Sequence, residues 1–331
     1  MKRLLLLTAL SLLLGLSGCG AANESSKNKA TVPVPATAAD DKSQAPGGAE
    51  YTIKFKYKDI YKDSNPGDVA HITETKTSEV TAKTTGTDGK ILKEDHSKGS
   101  ATFVYTQTIL EKPDKDKPPT RLRRQYERAK KKDGDKTTRM GFHGKTVLIE
   151  MKDGKWQFRF EGGPELALED AMIVYSDFHD HKTVGEEEDA LKMLLPKKPV
   201  KVGETWTLDA ETIAKRREKA LLFKLDSAKA VGKGKLQRVY LQDGCQFGVL
   251  EFTIDTPIRT MGTDKADEGS RFSQKITLDG CIDGTSGTLS TTLEENSTLS
   301  GELREAGVKK GKVTMDMQVK GQMIRKDLSK K

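Results

Sequence analysis

Val313-Thr-Met-Asp-Met-Gln-Val-Lys320, close to the end of the chain, alternates apolar and polar residues without a break. The apolar side chains stand at odd positions and the polar side chains at even positions. Successive side chains of a β-strand point to opposite faces of the sheet, so this period of two predicts a strand with one buried and one solvated face. A chain that is 34% hydrophobic and 32% charged fits such a half-solvated sheet better than a thick α/β core.

The same alternation recurs along most of the chain. Tyr51-Thr-Ile-Lys-Phe-Lys-Tyr-Lys58 carries three aromatic rings and an isoleucine on one side, and a threonine and three lysines on the other. Asp-Gly pairs favour tight hairpin turns, and we place such turns at 88–89, 153–154 and 243–244. Further strands are predicted at 69–85, 90–95, 101–110, 121–131, 145–151, 156–160, 236–241, 247–254, 272–278, 287–294, 298–304 and 313–325.

The texture changes between residues 164 and 222. Leucine, methionine and aromatic residues at 166–178 have helical spacing, and three acidic residues open a second segment at 186–195. Asp209 is in the position of an N-cap for a third helix over 210–221. We therefore predict an α+β, β-rich fold, in which a large curved antiparallel sheet of about twelve strands packs around a central helical insert at about 164–222.

The start of the chain predicts export. Two basic residues precede a short apolar stretch, which is typical of a signal peptide over 1–18. Leu16-Ser17-Gly18-Cys19 resembles a bacterial lipobox, and the resemblance implies cleavage before Cys19 and attachment of lipid, such as palmitate, to this cysteine. Residues 19–50 are rich in small, polar and proline residues and predict a disordered tether. The folded domain is expected at 51–328.

Two further cysteines follow. Cys245 comes after Asp243-Gly244, and Cys281 comes after a similar pair, Asp279-Gly280. Each cysteine is therefore expected to open a strand beside a hairpin turn, where neighbouring strand ends could bring the thiols together. An exported protein permits a disulfide between them, with two buried free thiols as the alternative.

The net charge of +8 is concentrated in one segment. Residues 112–139 hold twelve Lys and Arg and five Asp and Glu, a net charge of +7. The segment is either a solvated hairpin or a surface that contacts anionic lipid or an envelope polymer. Nucleic acid is not expected as a partner, because the compartment is wrong and Tyr126 is the one interleaved aromatic residue. The contact residues of this surface would be Arg121, Arg123, Arg124, Arg128, Lys130, Lys131 and Lys132.

Lys197-Lys-Pro-Val-Lys-Val-Gly-Glu-Thr-Trp206 resembles the "P-x-x-V-x-V-G-x-x-W" stretch of uncharacterised bacterial lipoproteins, many of the planctomycete type. The resemblance implies a β-rich extracytoplasmic domain and supplies no catalytic residues. From the residues themselves, Val200 and Val202 would share a strand face, Gly203 would turn the chain, and Trp206 would bury its ring in the core rather than stack on a ligand.

Motifs for chemistry are sparse. The chain has no G-x-S-x-G and no G-x-G-x-x-G sequence. His179-Asp-His181 is a histidine pair without a third ligand set by spacing, so we predict no metal site and no cofactor. We expect a non-catalytic, membrane-anchored extracytoplasmic lipoprotein, on the periplasmic side or the outer membrane, with a structural or interaction role. The alternative is a carrier of lipid or another hydrophobic ligand in a pocket between sheet and helices.

Overall fold

A computed structural model describes residues 48–54, 65–114, 117, 119–175, 193–218, 221, 223–261, 264–305 and 308–328. The predicted signal peptide, most of the tether, Cys19 and the histidine pair at 179–181 lie outside these residues. The strands are β1 (Glu50–Tyr51), β2 (Val69–Gly86), β3 (Ile91–Glu111), β4 (Arg121–Asp133), β5 (Lys136–Arg139), β6 (Thr146–Lys152), β7 (Lys155–Phe160), β8 (Val200–Lys201), β9 (Thr205–Thr207), β10 (Phe223–Leu225), β11 (Val231–Gln242), β12 (Cys245–Met261), β13 (Asp264–Lys265), β14 (Arg271–Cys281), β15 (Leu289–Glu305) and β16 (Val308–Asp327). The helices are α1 (Leu168–Tyr175) and α2 (Ala210–Glu218).

Fourteen of these strands form one antiparallel sheet, which confirms the predicted fold class. The main path runs β7-β6-β4-β3-β2-β16-β15-β14-β12-β11-β9, and β5, β10 and β13 pair beside it. Most neighbours are joined by hairpins. Between β2 and β16, however, the register runs without a shift from Gly311 opposite Gly86 to Asp327 opposite Ala70. The first and the last long strands therefore lie side by side in the middle of the sheet.

Short turns set the register of the hairpins. Asp153 and Gly154 both have positive φ, at 51° and 73°, and Asp243 and Gly244 repeat this geometry at 51° and 74°. Two consecutive residues with positive φ match the right-handed twist of the flanking strands, which is why Asp-Gly pairs were expected here. The pair at 279–280 behaves differently, because it lies inside β14, near its end, and the prediction of a turn there is wrong.

One face of the sheet carries the core. Residues paired across five strands, Ile254, Gln274, Glu295, Val319 and Ser78, are all buried on this face. The other face is polar, as predicted. One row across it reads Lys130, Thr102, Thr75, Gln322, Thr292, Thr277, Glu251 and Lys235.

The helices pack at opposite ends of the strand order. Val174 of α1 joins the core cluster over β2, β3, β4 and β6. Ala210 of α2 joins a second cluster over β11, β12 and β14, and Ala214 joins a third around Phe272. Asp209 caps α2, since its carboxylate accepts a hydrogen bond from the Thr212 amide at 3.2 Å, as expected.

Several predicted boundaries change. Of the strand predicted at 51–58, residues 51–54 pair through Tyr51 opposite Val200 and through a bridge from Lys54 to Asp283, and residues 55–58 lie outside the described part. The strands predicted at 287–294 and 298–304 are one strand, β15. Its polar residues Asn296 and Thr298 lie on the solvated face, so they continue the alternation rather than end the strand.

Candidate functional site

The motif around Trp206 forms one lateral edge of the large sheet. β9 pairs with β11, with Trp206 opposite Gly234, while β8 pairs with β1. Gly203 turns the chain between β8 and β9 with a φ of 88°, as predicted, and its amide donates to the Leu236 carbonyl at 2.7 Å. The turn is thus held against β11.

Val202 corrects one prediction for this motif. Val200 is 4% exposed and faces the core, but Val202 is 42% exposed, so the two valines do not share a buried face. The reason is the turn, which begins at Val202 and ends β8 after Lys201.

Trp206 belongs both to the core and to the surface. Its ring meets Phe252 edge-on at a centroid distance of 6.1 Å, and its indole N–H donates to the Leu194 carbonyl at 2.8 Å. The ring lies on Gly234, where an added Cβ would come within 2.2 Å of the indole. This half-buried ring, with its one polar group satisfied, presents apolar surface to the neighbouring space.

That space is a cleft of about 720 Å³. The volume lies within the range of small-molecule sites, which are typically about 300 to 1,000 Å³. Its wall is formed by the apolar side chains of Met193, Leu195, Pro196, Pro199, Val200 and Trp206. Polar and charged residues complete its lining, namely Lys197, Lys198, Glu204, Thr207, Asp209 and Arg216. We name this space the Trp206 cleft.

The two acidic residues of the Trp206 cleft are engaged by backbone amides. Glu204 accepts a hydrogen bond from the Lys201 amide at 2.8 Å, and Asp209 caps α2. Lys197 and Lys198 are exposed, and neither forms an ion pair with a residue in the described part of the chain. The lining as a whole holds three cationic side chains, Lys197, Lys198 and Arg216, against these two carboxylates, a net charge of +1.

A second groove, of about 590 Å³, is also lined in part by apolar side chains, among them Leu208, Val231 and Ile254. Its lining includes Lys233, Thr253, Asp255, Ser273 and Lys275, which lie on the polar face of the sheet. The Trp206 cleft is the larger of the two, and of these two it is the one with an aromatic ring in its lining.

A buried polar cluster links α2 to the sheet on which it packs. Glu295 of β15 is 3% exposed and pairs with the Arg217 guanidinium of α2, and the Gln274 amide donates to the same carboxylate at 2.8 Å. A buried carboxylate needs such partners, because its transfer out of water is costly. These contacts tie α2 to the centre of the sheet.

The predicted basic surface on β4 is divided by the alternation of the strand. Arg123, Arg128 and Lys132 are exposed, and Lys130 and Lys131 are half-buried. Arg124 is 1% exposed, so its assignment to the surface is wrong. It shares the core face with Leu122 and Tyr126, donates to Gln107 at 2.8 Å and stacks over Tyr105 at 4.6 Å.

Arg121 is held by a carboxylate. Its Nε lies 2.8 Å from Glu150, which Arg159 also contacts and Lys152 approaches at 3.7 Å. The hydrogen bond from Arg159 lowers the pKa of Glu150; burial opposes this, and the charges of Arg159, Arg121 and Lys152 add to the lowering. Arg121 is therefore less available to an external anion than Arg123 or Arg128.

The predicted disulfide is absent, because Cys245 and Cys281 are both buried free thiols. Cys281 lies opposite Phe247, so Cys245 stands diagonally from it, two residues along β12. Diagonal neighbours are about 7–8 Å apart, whereas a disulfide requires a Cα separation of about 4.4–6.8 Å.

The Cys281 thiol instead donates a hydrogen bond to the Asp283 carboxylate, at a distance of 3.0 Å between Sγ and Oδ1. Asp283 also accepts hydrogen bonds from Thr285 and from the Gln246 amide. Burial would raise the pKa of Asp283, but these donors, the Cys281 thiol first among them, hold the pKa well below its ordinary range.

Sequence reasoning missed three features of this region. The close approach of the indole ring to Gly234 and the burial of Glu295 were not predicted, although glycine in a strand often marks a close approach by another group. The cleft itself was missed, because Trp206 was assigned to the core alone. The sequence contained one indication of a charged site next to the tryptophan, the pair Lys197-Lys198, which lies shortly before Trp206.

Within the described residues, no helix is long and apolar enough to cross a membrane. The same residues contain no group of three His, Cys, Asp or Glu side chains that would hold a metal ion.

Comparisons with known proteins add little. No protein-family model matches the chain, and no curated protein matches it. Among solved structures the chain is similar to one described as lipid–protein interactions in lipovitellin, with 13% identity and a TM-score of 0.33. The match covers 78% of this chain and 25% of lipovitellin, so the chain spans about a quarter of that protein's length.

Proposed function

We propose that this protein binds a hydrophobic ligand in the Trp206 cleft and acts as an extracytoplasmic binding protein or carrier. One observation carries the proposal: a cleft of about 720 Å³ whose wall consists of six apolar side chains, with the half-buried indole of Trp206 among them. Ligand pockets combine such an apolar lining with a few polar groups that orient the ligand.

The proposal is tested by fluorescence of the purified protein. The chain has two tryptophans, and Trp156 lies on β7, at the other end of the strand order. In Trp156→Phe the emission reports on Trp206 alone, and added long-chain amphiphile should shift and saturate it. In Trp206→Phe the remaining Trp156 should not respond. A Trp206 emission that stays constant across all amphiphiles would contradict the proposal.

A second candidate function is contact with an anionic surface through β4 and β5. Arg123, Arg128 and Lys132 are exposed along β4, and Lys136 and Arg139 are exposed on β5. Each charge close to an anionic membrane contributes about 1 kcal/mol at low salt. Sedimentation with phosphatidylglycerol vesicles should fall for Arg123→Gln/Arg128→Gln/Lys132→Gln. The triple variant Lys233→Gln/Lys235→Gln/Lys265→Gln is the control, with the same loss of charge elsewhere.

We also propose that the domain is anchored to a membrane, whichever of the two functions it performs. Lipid on Cys19 and a tether at 19–50 would hold the domain within about 30 Å of a bilayer, the r.m.s. span of a flexible chain of this length. The variant Cys19→Ser should leave the membrane fraction. A variant that stays in this fraction would argue against the anchor and leave the ligand proposal untouched.

A further inference from the structure

We infer that the Trp206 cleft selects single-chain amphiphiles with an anionic head group. This inference rests on the proposed function and adds the class of ligand to it. The ligand's chain would lie along Trp206 and Leu195, and its carboxylate or phosphate would meet Lys197 and Lys198 at the mouth. The apolar wall alone accounts for chain binding. The selection of head group follows from how the charged residues of the cleft are paired.

The lining of the cleft holds three cationic side chains, Lys197, Lys198 and Arg216, against two carboxylates. Its two carboxylates, on Glu204 and Asp209, each accept a backbone hydrogen bond and are fixed in place by it. The two lysine ammonium groups have no such partner among the described residues, and both side chains are exposed. An anionic head group would therefore find, beside the apolar wall, two lysines that form no ion pair within the described part of the chain. A cationic head group would meet these two carboxylates together with the repulsion of the three cationic side chains.

The position of the lysines is set by the fold. The indole N–H of Trp206 donates to the Leu194 carbonyl, which fixes the segment that leads into Lys197 and Lys198 over β9. β8 follows directly and pairs with β1, so the segment is held at both ends. Lys197 and Lys198 lie between these two fixed points, and both side chains are exposed.

The experiment compares four amphiphiles with the same twelve-carbon chain, each below its critical micelle concentration, in the Trp156→Phe background. The heads are a carboxylate, a phosphate, a neutral maltoside and a trimethylammonium. Dodecanoate and dodecyl phosphate should bind at least tenfold more tightly than dodecyl maltoside, and the trimethylammonium should bind most weakly. Tighter binding of the phosphate would point to a phospholipid-like source, and tighter binding of the carboxylate to a free fatty acid.

Variants then test the lysines directly. Lys197→Gln/Lys198→Gln should remove the tenfold preference and leave maltoside binding unchanged. Lys197→Glu/Lys198→Glu should reverse the preference toward trimethylammonium, an outcome that loss of folding cannot produce. Lys136→Gln/Lys155→Gln is the matched control, since these two exposed lysines lie on β5 and β7, at the other end of the strand order.

The outcomes separate the two proposals. Equal binding of all four amphiphiles, unchanged by the lysine variants, would overturn the head-group inference and leave the cleft as a hydrophobic site. Absence of any Trp206 response to all four would overturn the proposed function itself.

Discussion

Trp206 lies directly against the backbone of Gly234, with which it pairs across β9 and β11. A Cβ at position 234 would be 2.2 Å from Cε2 of the indole, closer than any real contact allows. A methyl group here must displace the ring, the β9 strand or both. The glycine therefore sets the position of the wall of the Trp206 cleft.

We expect Gly234→Ala to destabilise the protein by about 1–3 kcal/mol, the usual cost of inserting a methyl group into packed structure. Urea unfolding measures this change, and ligand-dependent Trp206 emission should be weakened in the same variant. Gly321→Ala is the control, because a Cβ there would meet no atom closer than 3.8 Å. Equal stability of the two variants would show that Trp206 does not rest on Gly234.

The contact between Arg217 and Glu295 gives a second prediction. Arg217→Met leaves a carboxylate that is 3% exposed with Gln274 as its main remaining partner. Breaking a buried pair from one side costs about 3–5 kcal/mol, and partial exposure of Arg217 places the expected loss at the lower end.

Lys215→Met is the control for Arg217→Met. Lys215 lies on the same helix and pairs with Glu211 at the surface, so its loss should leave the urea midpoint unchanged. Similar midpoints for the two variants would contradict a structural role for Glu295.

Glu150 predicts a dependence of stability on pH. Its pKa is lowered in the folded state, chiefly by the hydrogen bond from Arg159. A group with a lowered folded pKa stabilises the fold above its unfolded pKa, and this contribution is lost as the pH falls through the folded pKa. Glu150→Gln should therefore be less stable than the parent at pH 7, and the gap should begin to close at about pH 4, the range of an unfolded glutamate, and close further as the pH falls through the lower folded pKa.

Thermal unfolding between pH 3 and pH 7 measures this gap. A gap that remains constant over the range would show that the lost contacts are not ionic. Glu165→Gln, which removes a carboxylate that is exposed, should show no gap at any pH.

The cysteines give a fourth prediction. Cys245 and Cys281 are not bridged, so alkylation of unreduced, denatured protein should label both thiols completely. Treatment with reductant before alkylation should leave the mass of the labelled protein unchanged. Cys281→Ala should also be destabilised relative to Cys245→Ala, since Cys281 donates to Asp283 at 3.0 Å whereas Cys245 has only a 3.8 Å contact. Protected thiols in unreduced protein would indicate that the diagonal pair closes after all.

Much of the fold was predictable because the strands carry their own signal. The alternation at 313–320 and the Asp-Gly turns at 153–154 and 243–244 are local properties, and the structure confirms them. The burial of Arg124 could also have been predicted from the sequence, because Leu122, Arg124 and Tyr126 alternate with polar residues and therefore lie on the same, core face of the strand. A count of charges along the segment concealed this alternation.

Other features depend on pairing between distant residues and could not be read from local pattern. The diagonal placement of Cys245 and Cys281 follows from the register of β12 with β14, which no spacing in the sequence fixes. The Trp206 cleft likewise requires β9 to pair with β11 and Gly234 to lie beneath the ring. Local chemistry predicted the elements, and long-range register determined the candidate site.

The seam between β2 and β16 has a consequence for how the chain is made. β16, a strand of twenty residues, lies in the middle of the sheet and not at its edge. It pairs with β2 on one side and with β15 on the other, and so joins the two halves of the sheet. During synthesis the early hairpins must wait, with one long edge open, until β16 has been translated. A nonsense mutation just before the codons of β16 would therefore divide the sheet in two rather than shorten it.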